Sequence, residues 1–171
     1  STILYGTRIS LFVGFMSVIF GLFFGVGLGL VSGYVGGYVD AFIMRVAEVQ
    51  LSIPSFLLAL LLVGILRGMV SGEAYNDVVV YVLVLAIGTS IWPHFARTVR
   101  GSTLVERNKE YVLAARVIGV SRFVIMLRHV LPNVMGPVLV IATINLAIAI
   151  LLEATLSFLG VGVPPTEPSL G

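Results

Sequence analysis

The chain has 171 residues, of which 58% are hydrophobic and 11% are charged, with a formal net charge of +2 and a mean hydropathy of +1.12. A soluble domain carries about 25% charged residues, so this composition excludes an ordinary soluble protein and indicates an integral membrane protein. The absence of cysteine excludes disulfides, thiolate metal sites and thiol catalysis, and the small net charge gives no indication of nucleic-acid binding.

The first predicted membrane span covers residues 9–32, long enough for the roughly 20 residues that a helical crossing needs. Small residues recur along it at every fourth position: Ser17, Gly21, Gly25, Gly29 and Gly33. A stripe of this kind lets two helix backbones approach closely within a membrane. The four glycines are therefore predicted to form a helix-packing face.

The second predicted span covers residues 41–66 and follows a Gly- and Tyr-rich turn at residues 32–40. Pro54 is expected to kink it and to free a backbone carbonyl. Arg45 and Glu48 lie three residues apart, where they can pair on a helix surface. Glu48 is also a candidate for the transport pathway, because ionisable groups at membrane depth are commonly functional. The sequence leaves both interpretations open.

The third predicted span covers residues 78–95, and Trp92 near its end is expected to anchor it at the membrane surface. The fourth covers residues 134–152. Asn145 within it faces either a neighbouring helix or the transport pathway. Glu153 follows the fourth span and is either a surface carboxylate at a helix end or part of an outer gate. Residues 154–163 are too short to cross the membrane again and lead to a proline-rich loop.

Basic residues concentrate between the third and fourth spans, in the loop of residues 96–133. Seven of the ten Lys and Arg residues lie between Arg97 and Arg128. Loops rich in Lys and Arg face the cytoplasm, so this loop is predicted to be cytoplasmic. The turn at residues 32–40 is then also cytoplasmic, and the connection between the second and third spans lies outside.

The cytoplasmic loop has the pattern of two short helices joined by an elbow. Residues 110–118 favour a first helix, and Gly119 stands where a helix ends at positive φ. Ser121 is placed to cap a second helix at residues 122–131. Pro132 either ends that helix or begins the next span. With the small residues Ala114 and Ala115 available for a close approach, this pattern favours a docking surface for a soluble partner.

The loop resembles the cytoplasmic EAA loop of ABC-importer permeases. Two alanines, a glycine and a Leu-Pro pair match the spacing of that pattern: Ala114, Ala115, Gly119, Leu131 and Pro132. Leu113 stands where the family has Glu, and His129 stands at a position that is usually apolar. The sequence Arg-His-Val-Leu-Pro-Asn at residues 128–133 and the Glu-Tyr-Val lead-in at residues 110–112 resemble the dipeptide/oligopeptide/nickel permeases in particular.

The resemblance implies an all-α, polytopic membrane protein. Residues 1–171 are expected to form one permease domain with four of six spans, cut at both ends from a longer chain. Its implied location is the inner or plasma membrane, and its implied partners are ABC ATPase subunits, a second and different permease subunit, and an external substrate-binding protein. The chain has no GxxxxGK[ST] phosphate loop, so ATP hydrolysis is expected on the separate ATPases. No cofactor, metal or nucleic acid is expected.

The helix of residues 110–120 is implied to lie in a cleft of one ATPase, whose closure drives alternating access. The residues implied in this coupling are Glu110, Tyr111, Ala114, Ala115, Arg116, Gly119, Val120, Arg128, His129, Leu131 and Pro132. Di- or oligopeptides are the implied substrates, with nickel or another small solute as the alternative. A secondary transporter would need carboxylates or broken helices at the bilayer midplane, and only Glu48 approaches that. A structural membrane subunit with a plain basic loop is the remaining alternative.

Overall fold

The computed structural model describes residues 2–70 and 72–163, and every regular element within them is helical. The elements are α1 (Thr2–Val35), α2 (Gly37–Leu51), α3 (Ser55–Met69), α4 (Gly72–Glu106), α5 (Glu110–Val117), α6 (Arg122–Val124) and α7 (Leu131–Phe158), with a π-helical segment, Ile125–Val130, between α6 and α7. The prediction of an all-α, polytopic fold is confirmed. The proline-rich loop at residues 164–168 lies outside the described residues.

Within the described residues, three helical segments are long and apolar enough to cross a membrane: Gly6–Val35, Val78–Glu106 and Arg122–Phe158. A fourth crossing requires α2 and α3 together, and these two helices meet at 92°. The predicted span of residues 41–66 is therefore a broken helix rather than a kinked one. Pro54 explains the break, because it cannot donate a helical hydrogen bond and it favours an extended residue before it.

The helices extend beyond the predicted boundaries at the cytoplasmic loop. α4 continues to Glu106, so the first part of the predicted loop is helical. At the other end, α6 and the π-helical segment run into α7 without a break. Pro132 is the second residue of α7 rather than the end of a helix.

Two further boundaries differ from the sequence-based expectation. The predicted turn at residues 32–40 is reduced to Gly36, which separates α1 from α2. Gly36 and Gly37 have φ of 70° and 59°, a region that glycine enters without steric cost. α7 continues past Glu153 to Phe158, so the first half of the expected separate segment at residues 154–163 belongs to α7.

The centre of the structure is formed by α1 and α4, which run parallel. Gly21 of α1 lies against Ile91 of α4, and Gly33 lies against Thr103, so the two helices advance in the same direction. Two parallel spans need a return crossing between them, and α2 with α3 provides it. α7 packs against both central helices. This arrangement agrees with the order of crossings predicted from the charge distribution.

Candidate coupling surface

The elbow between α5 and α6 is built by two local features of the sequence. Gly119 follows α5 with a φ of 84°, a conformation that residues with a Cβ rarely adopt. Ser121 then accepts a hydrogen bond from the backbone N–H of Val124 at 3.4 Å, which caps α6. The chain therefore turns sharply after α5, and α5 contacts the π-helical segment that follows α6 at the predicted cytoplasmic end.

Of the two alanines of the loop, Ala114 is exposed and Ala115 is buried. Val112 and Ala115 are 0% and 6% exposed and pack into the core. Leu113, Ala114 and Val117 lie on the exposed face. The expectation that both alanines face a partner is therefore wrong for Ala115, because its three-residue spacing from Val112 places both on the inner face.

Exposed apolar side chains continue from α5 across the elbow to α6 and the π-helical segment. Val117, Ile118 and Phe123 are 87%, 77% and 65% exposed. We define the docking surface as the exposed set Leu113, Ala114, Val117, Ile118, Phe123, Val124 and Leu127. Exposed apolar side chains concentrated in one short segment commonly mark a site of interaction with another protein or with a membrane.

Tyr111 fixes α5 to the long helices behind the docking surface. Its hydroxyl donates to a carboxylate oxygen of Glu106 at 2.6 Å and accepts from the side-chain amide of Asn133 at 3.2 Å. The ammonium of Lys109 lies 2.6 Å from the other Glu106 oxygen. Burial and the hydrogen bond to Glu106 raise the pKa of Tyr111 to about 12, so the hydroxyl stays protonated at physiological pH.

The other predicted coupling residues divide between the surface and the interior. Glu110, Gly119, Arg128 and Pro132 are exposed, whereas Val120, His129 and Leu131 are half-buried. Arg116 lies with its guanidinium carbon 5.2 Å from the centre of the Tyr34 ring in α1. These residues share one end of the structure, and only part of the set borders the docking surface.

The predicted glycine stripe lies where α1 meets α4. At four positions a methyl group would come within 3 Å of an atom of α4: Gly21, Gly25, Gly29 and Gly33. The closest approaches, both 2.5 Å, would be from Gly25 to Cβ of Phe95 and from Gly29 to the carbonyl oxygen of Ala96. Such backbone contact maximises van der Waals attraction between membrane helices.

An ion pair between α2 and α4 was missed by the sequence analysis. Nε and Nη2 of Arg100 donate to the two carboxylate oxygens of Asp40 at 2.5 and 2.7 Å. The hydroxyl of Ser32 also donates to this carboxylate, and Arg107 donates to the carbonyl oxygen of Gly33 at 2.9 Å. Bidentate Arg–carboxylate pairs are strong and geometrically specific. These hydrogen bonds from Arg100, Ser32 and Arg107 hold the ends of α1, α2 and α4 together.

Gln50, at the C-terminal end of α2, joins this helix to the middle of α4. Its Nε2 donates to the carbonyl oxygen of Thr89 at 2.5 Å, and its Oε1 accepts from Nε1 of Trp92 at 2.9 Å. Trp92 is 9% exposed. It is therefore an interhelical contact and not the predicted surface anchor, because α4 continues well beyond it.

The three candidate pathway residues have different environments. Glu48 is exposed, and its carboxylate lies 3.6 Å from Arg45 in the predicted pair. Asn145 and Glu153 are 2% and 0% exposed, so Glu153 is not a surface carboxylate. One Glu153 oxygen accepts from the hydroxyl of Ser157 at 2.7 Å. The other oxygen and the Asn145 carbonyl find no hydrogen-bond partner among the described residues.

Comparison with known proteins decides which family these features belong to. The model of the binding-protein-dependent transport system inner membrane component family matches residues 25–171. The chain belongs to this family. The family resemblance inferred from the cytoplasmic loop is thereby confirmed, and the apolar spans fit a multi-pass protein of the inner membrane.

Several curated proteins are similar to this family member over nearly its whole length. The glutathione transport system permease protein GsiD of Pectobacterium atrosepticum is 40% identical over 171 residues, 100% of this chain and 54% of the relative. The oligopeptide transport system permease protein OppC of Bacillus subtilis is 36% identical over 167 residues, 97% of this chain and 51% of the relative. The di/tripeptide transport system permease protein DppC of Pseudomonas aeruginosa is 36% identical over 171 residues, 100% of this chain and 53% of the relative. The chain thus spans about half the length of the curated relatives that it matches.

Proposed function

We propose that this chain is part of a transmembrane subunit of an ATP-driven importer of peptides. The observation that carries the proposal is the docking surface, which gives a member of this transport family an apolar patch at its predicted cytoplasmic end. The names of the relatives specify glutathione, oligopeptides and di/tripeptides, all of them peptides in chemistry. This agreement supports peptides as the transported substrates.

The proposed partner at the docking surface is a separate ABC ATPase subunit. Burying Val117 and Ile118 against a matching groove would remove large apolar side chains from water, which favours association. Because the Tyr111 hydroxyl connects α5 to both α4 and α7, a displacement of α5 reaches two membrane-crossing helices. The ATPases would supply hydrolysis. A second permease subunit and an external binding protein would complete the transporter.

Glu48 is the most suitable of the three candidate residues for contact with a substrate, because its carboxylate is exposed. It borders a cavity of about 260 Å³ lined by Met44, Glu48, Arg97 and Arg100. The carboxylate of Glu48 and the guanidinium groups of Arg97 and Arg100 thus lie beside one opening. These opposite charges match the ammonium and carboxylate termini of a peptide. Asn145 and Glu153 are buried within the chain, so we propose for them contacts between helices rather than a place on the pathway.

The docking proposal is tested by retention of the ATPase on the full-length protein. Wild type, Val117→Glu and the matched control Val117→Ile are purified from native membranes in mild detergent, and the retained proteins are identified by mass spectrometry. We expect an ABC ATPase with wild type and Val117→Ile, and at least about tenfold less with Val117→Glu, because a carboxylate buried without a partner strongly opposes association.

Equal amounts of all three variants in the membrane serve as the insertion control. Equal retention of the ATPase by Val117→Glu and wild type would show that the docking surface lies elsewhere. Recovery of no ABC ATPase with wild type, even with a non-hydrolysable ATP analogue present, would contradict the proposed function itself. A second permease and a ligand-loaded binding protein in the same sample would identify the substrate.

A further inference from the structure

A polar cavity of about 340 Å³ lies between the end of α1 and the α5–α6 elbow. Its lining residues are Tyr34, Val35, Arg107, Asn108, Arg116 and Arg122. Three of these six side chains are guanidinium groups, and none is a carboxylate. The cavity is separate from the docking surface, because none of its lining residues belongs to that surface.

None of the three arginines forms an ion pair within the described part of the chain, and the carboxylate that acts on Arg107 at longer range, that of Asp40, is already paired with Arg100. Arg107 donates to the carbonyl oxygen of Gly33, and Arg116 lies over the ring of Tyr34. Neither contact supplies a negative charge. The ion pairs found in this part of the chain join Arg45 to Glu48, Arg100 to Asp40 and Lys109 to Glu106. Three like charges around one concave site raise the local positive potential, which favours an anion.

Tyr34 provides an independent indication that the cavity binds a ligand. The residue is only 6% exposed, and its buried hydroxyl has no hydrogen-bond partner among the described residues. Buried hydroxyl groups in folded proteins are nearly always hydrogen-bonded. Tyr34 also lines the cavity, so a small shift of its side chain would let an oxyanion bound among the arginines supply the acceptor that this hydroxyl lacks.

We propose that this cavity binds a phosphate group, and that the phosphate of an anionic phospholipid is its source. Guanidinium groups bind phosphate oxygens in bidentate geometry, and the site combines three of them with a hydroxyl donor. The first candidate span ends at Val35, which also lines the cavity, so the arginines lie at the predicted cytoplasmic end of this span, where lipid headgroups are expected. Basic pockets at the cytoplasmic ends of membrane helices are suited to anionic headgroups.

A bound headgroup would connect the end of α1 to both halves of the elbow, because Arg116 belongs to α5 and Arg122 to α6. The lipid would thus hold the α5–α6 elbow against the membrane surface. This inference goes beyond the proposed function and depends only on the position of this end of the helices at the membrane.

The test measures lipid retention by the full-length protein. Wild type, Arg116→Gln/Arg122→Gln and the matched control Arg45→Gln/Arg128→Gln are reconstituted in nanodiscs of phosphatidylcholine with increasing phosphatidylglycerol. Native mass spectrometry then counts the retained phosphatidylglycerol molecules. Each cation near an anionic surface contributes roughly a fivefold factor in binding, so we expect about 25-fold weaker retention of one lipid by the cavity variant. The control removes the same charge and should retain this lipid like wild type.

A second arm distinguishes the two sources of phosphate. Binding of radiolabelled inorganic phosphate is measured by equilibrium dialysis in nanodiscs of phosphatidylcholine alone. Phosphate binding that the cavity variant loses, without selective phosphatidylglycerol retention, would support the phosphate site and assign it a soluble ligand. Tyr34→Phe removes only the hydroxyl and should weaken binding several-fold even if the double variant does not fold. If wild type binds neither ligand, or if both Tyr34→Phe and the cavity variant bind like the control, the proposal is wrong.

Discussion

Replacing Gly25 with alanine should destabilise the protein, whereas the same change at Gly27 should not. A Cβ at Gly25 would lie 2.5 Å from Cβ of Phe95 and 2.6 Å from the backbone carbonyl oxygen of Trp92, but at Gly27 it would meet nothing within 4 Å. The carbonyl oxygen belongs to the backbone of α4 and cannot rotate away. Relief to an ordinary contact of 3.4 Å therefore needs a local separation of about 0.9 Å from the 2.5 Å approach.

The magnitude follows from two opposing terms. Exchanging glycine for alanine within a helix stabilises it by up to about 1 kcal/mol, and this term applies equally at Gly25 and Gly27. Overpacking a close interface costs about 1–3 kcal/mol and applies only at Gly25. We therefore expect the two variants to differ by about 1–3 kcal/mol in the free energy of unfolding, with Gly29→Ala behaving like Gly25→Ala.

The measurement is denaturant unfolding of the full-length protein in mixed micelles, with the three variants treated in parallel. Comparison at neighbouring positions of one helix cancels the propensity term, so the difference reports on the interface alone. Equal stability of Gly25→Ala and Gly27→Ala would refute the inference that backbone contact between α1 and α4 is what the glycines provide.

Two further changes test the polar contacts at the predicted cytoplasmic end. Asp40→Asn leaves the guanidinium of Arg100 without its carboxylate. It should lower the free energy of unfolding by about 1–3 kcal/mol, since the side chains of Asp40 and Arg100 are 18% and 33% exposed. In unfolding experiments, the Asp40→Asn/Arg100→Gln double variant should lose less stability than the sum of the single variants, and strict additivity would rule out a direct pair. Tyr111→Phe removes the hydroxyl bound to Glu106 and should cost about 1–3 kcal/mol. The folded-state pKa of Tyr111 is raised from 10.0 to about 12, so this stabilising contribution is complete below pH 10 and declines as the pH rises towards 12. The thermal unfolding midpoints of wild type and Tyr111→Phe should therefore differ by a constant amount from about pH 7 to about pH 9.5. A difference that vanished within this range would contradict the stabilising hydrogen bond from Tyr111 to Glu106.

Local features of the fold could be predicted from the sequence because their causes are local. The four-residue spacing of the glycines predicted a packing face on α1, and Gly119 with Ser121 predicted the elbow. The identity of the partner helix was not predictable, because Gly25 and Phe95 meet only after the chain has crossed the membrane and returned. The pattern of small residues shows that a helix is close, without showing which one.

The candidate site shows the same division. The concentration of basic residues between Arg97 and Arg128 indicated a cytoplasmic loop. The relatives confirm the family that the motif in this loop suggested. The pairing of Asp40 with Arg100 gave no signal, because sixty residues separate the two and neither belongs to a recognisable motif. Ala115 was placed on the wrong face of α5, since an eight-residue helix with apolar residues on several sides does not define its buried face from sequence alone.

The backbone contact between α1 and α4 also limits how the molecule can change shape. Interlocked ridges and grooves resist gradual sliding, so a shift of one helix along the other would have to proceed in whole steps of about one helical turn, roughly 5.4 Å. A conformational change that keeps this interface closed instead moves α1 and α4 together as one rigid body. The backbone then bends at the two connections next to this rigid body. One is Gly36–Gly37, where φ is positive, and the other is residues 52–54, where α2 turns through 92° into α3.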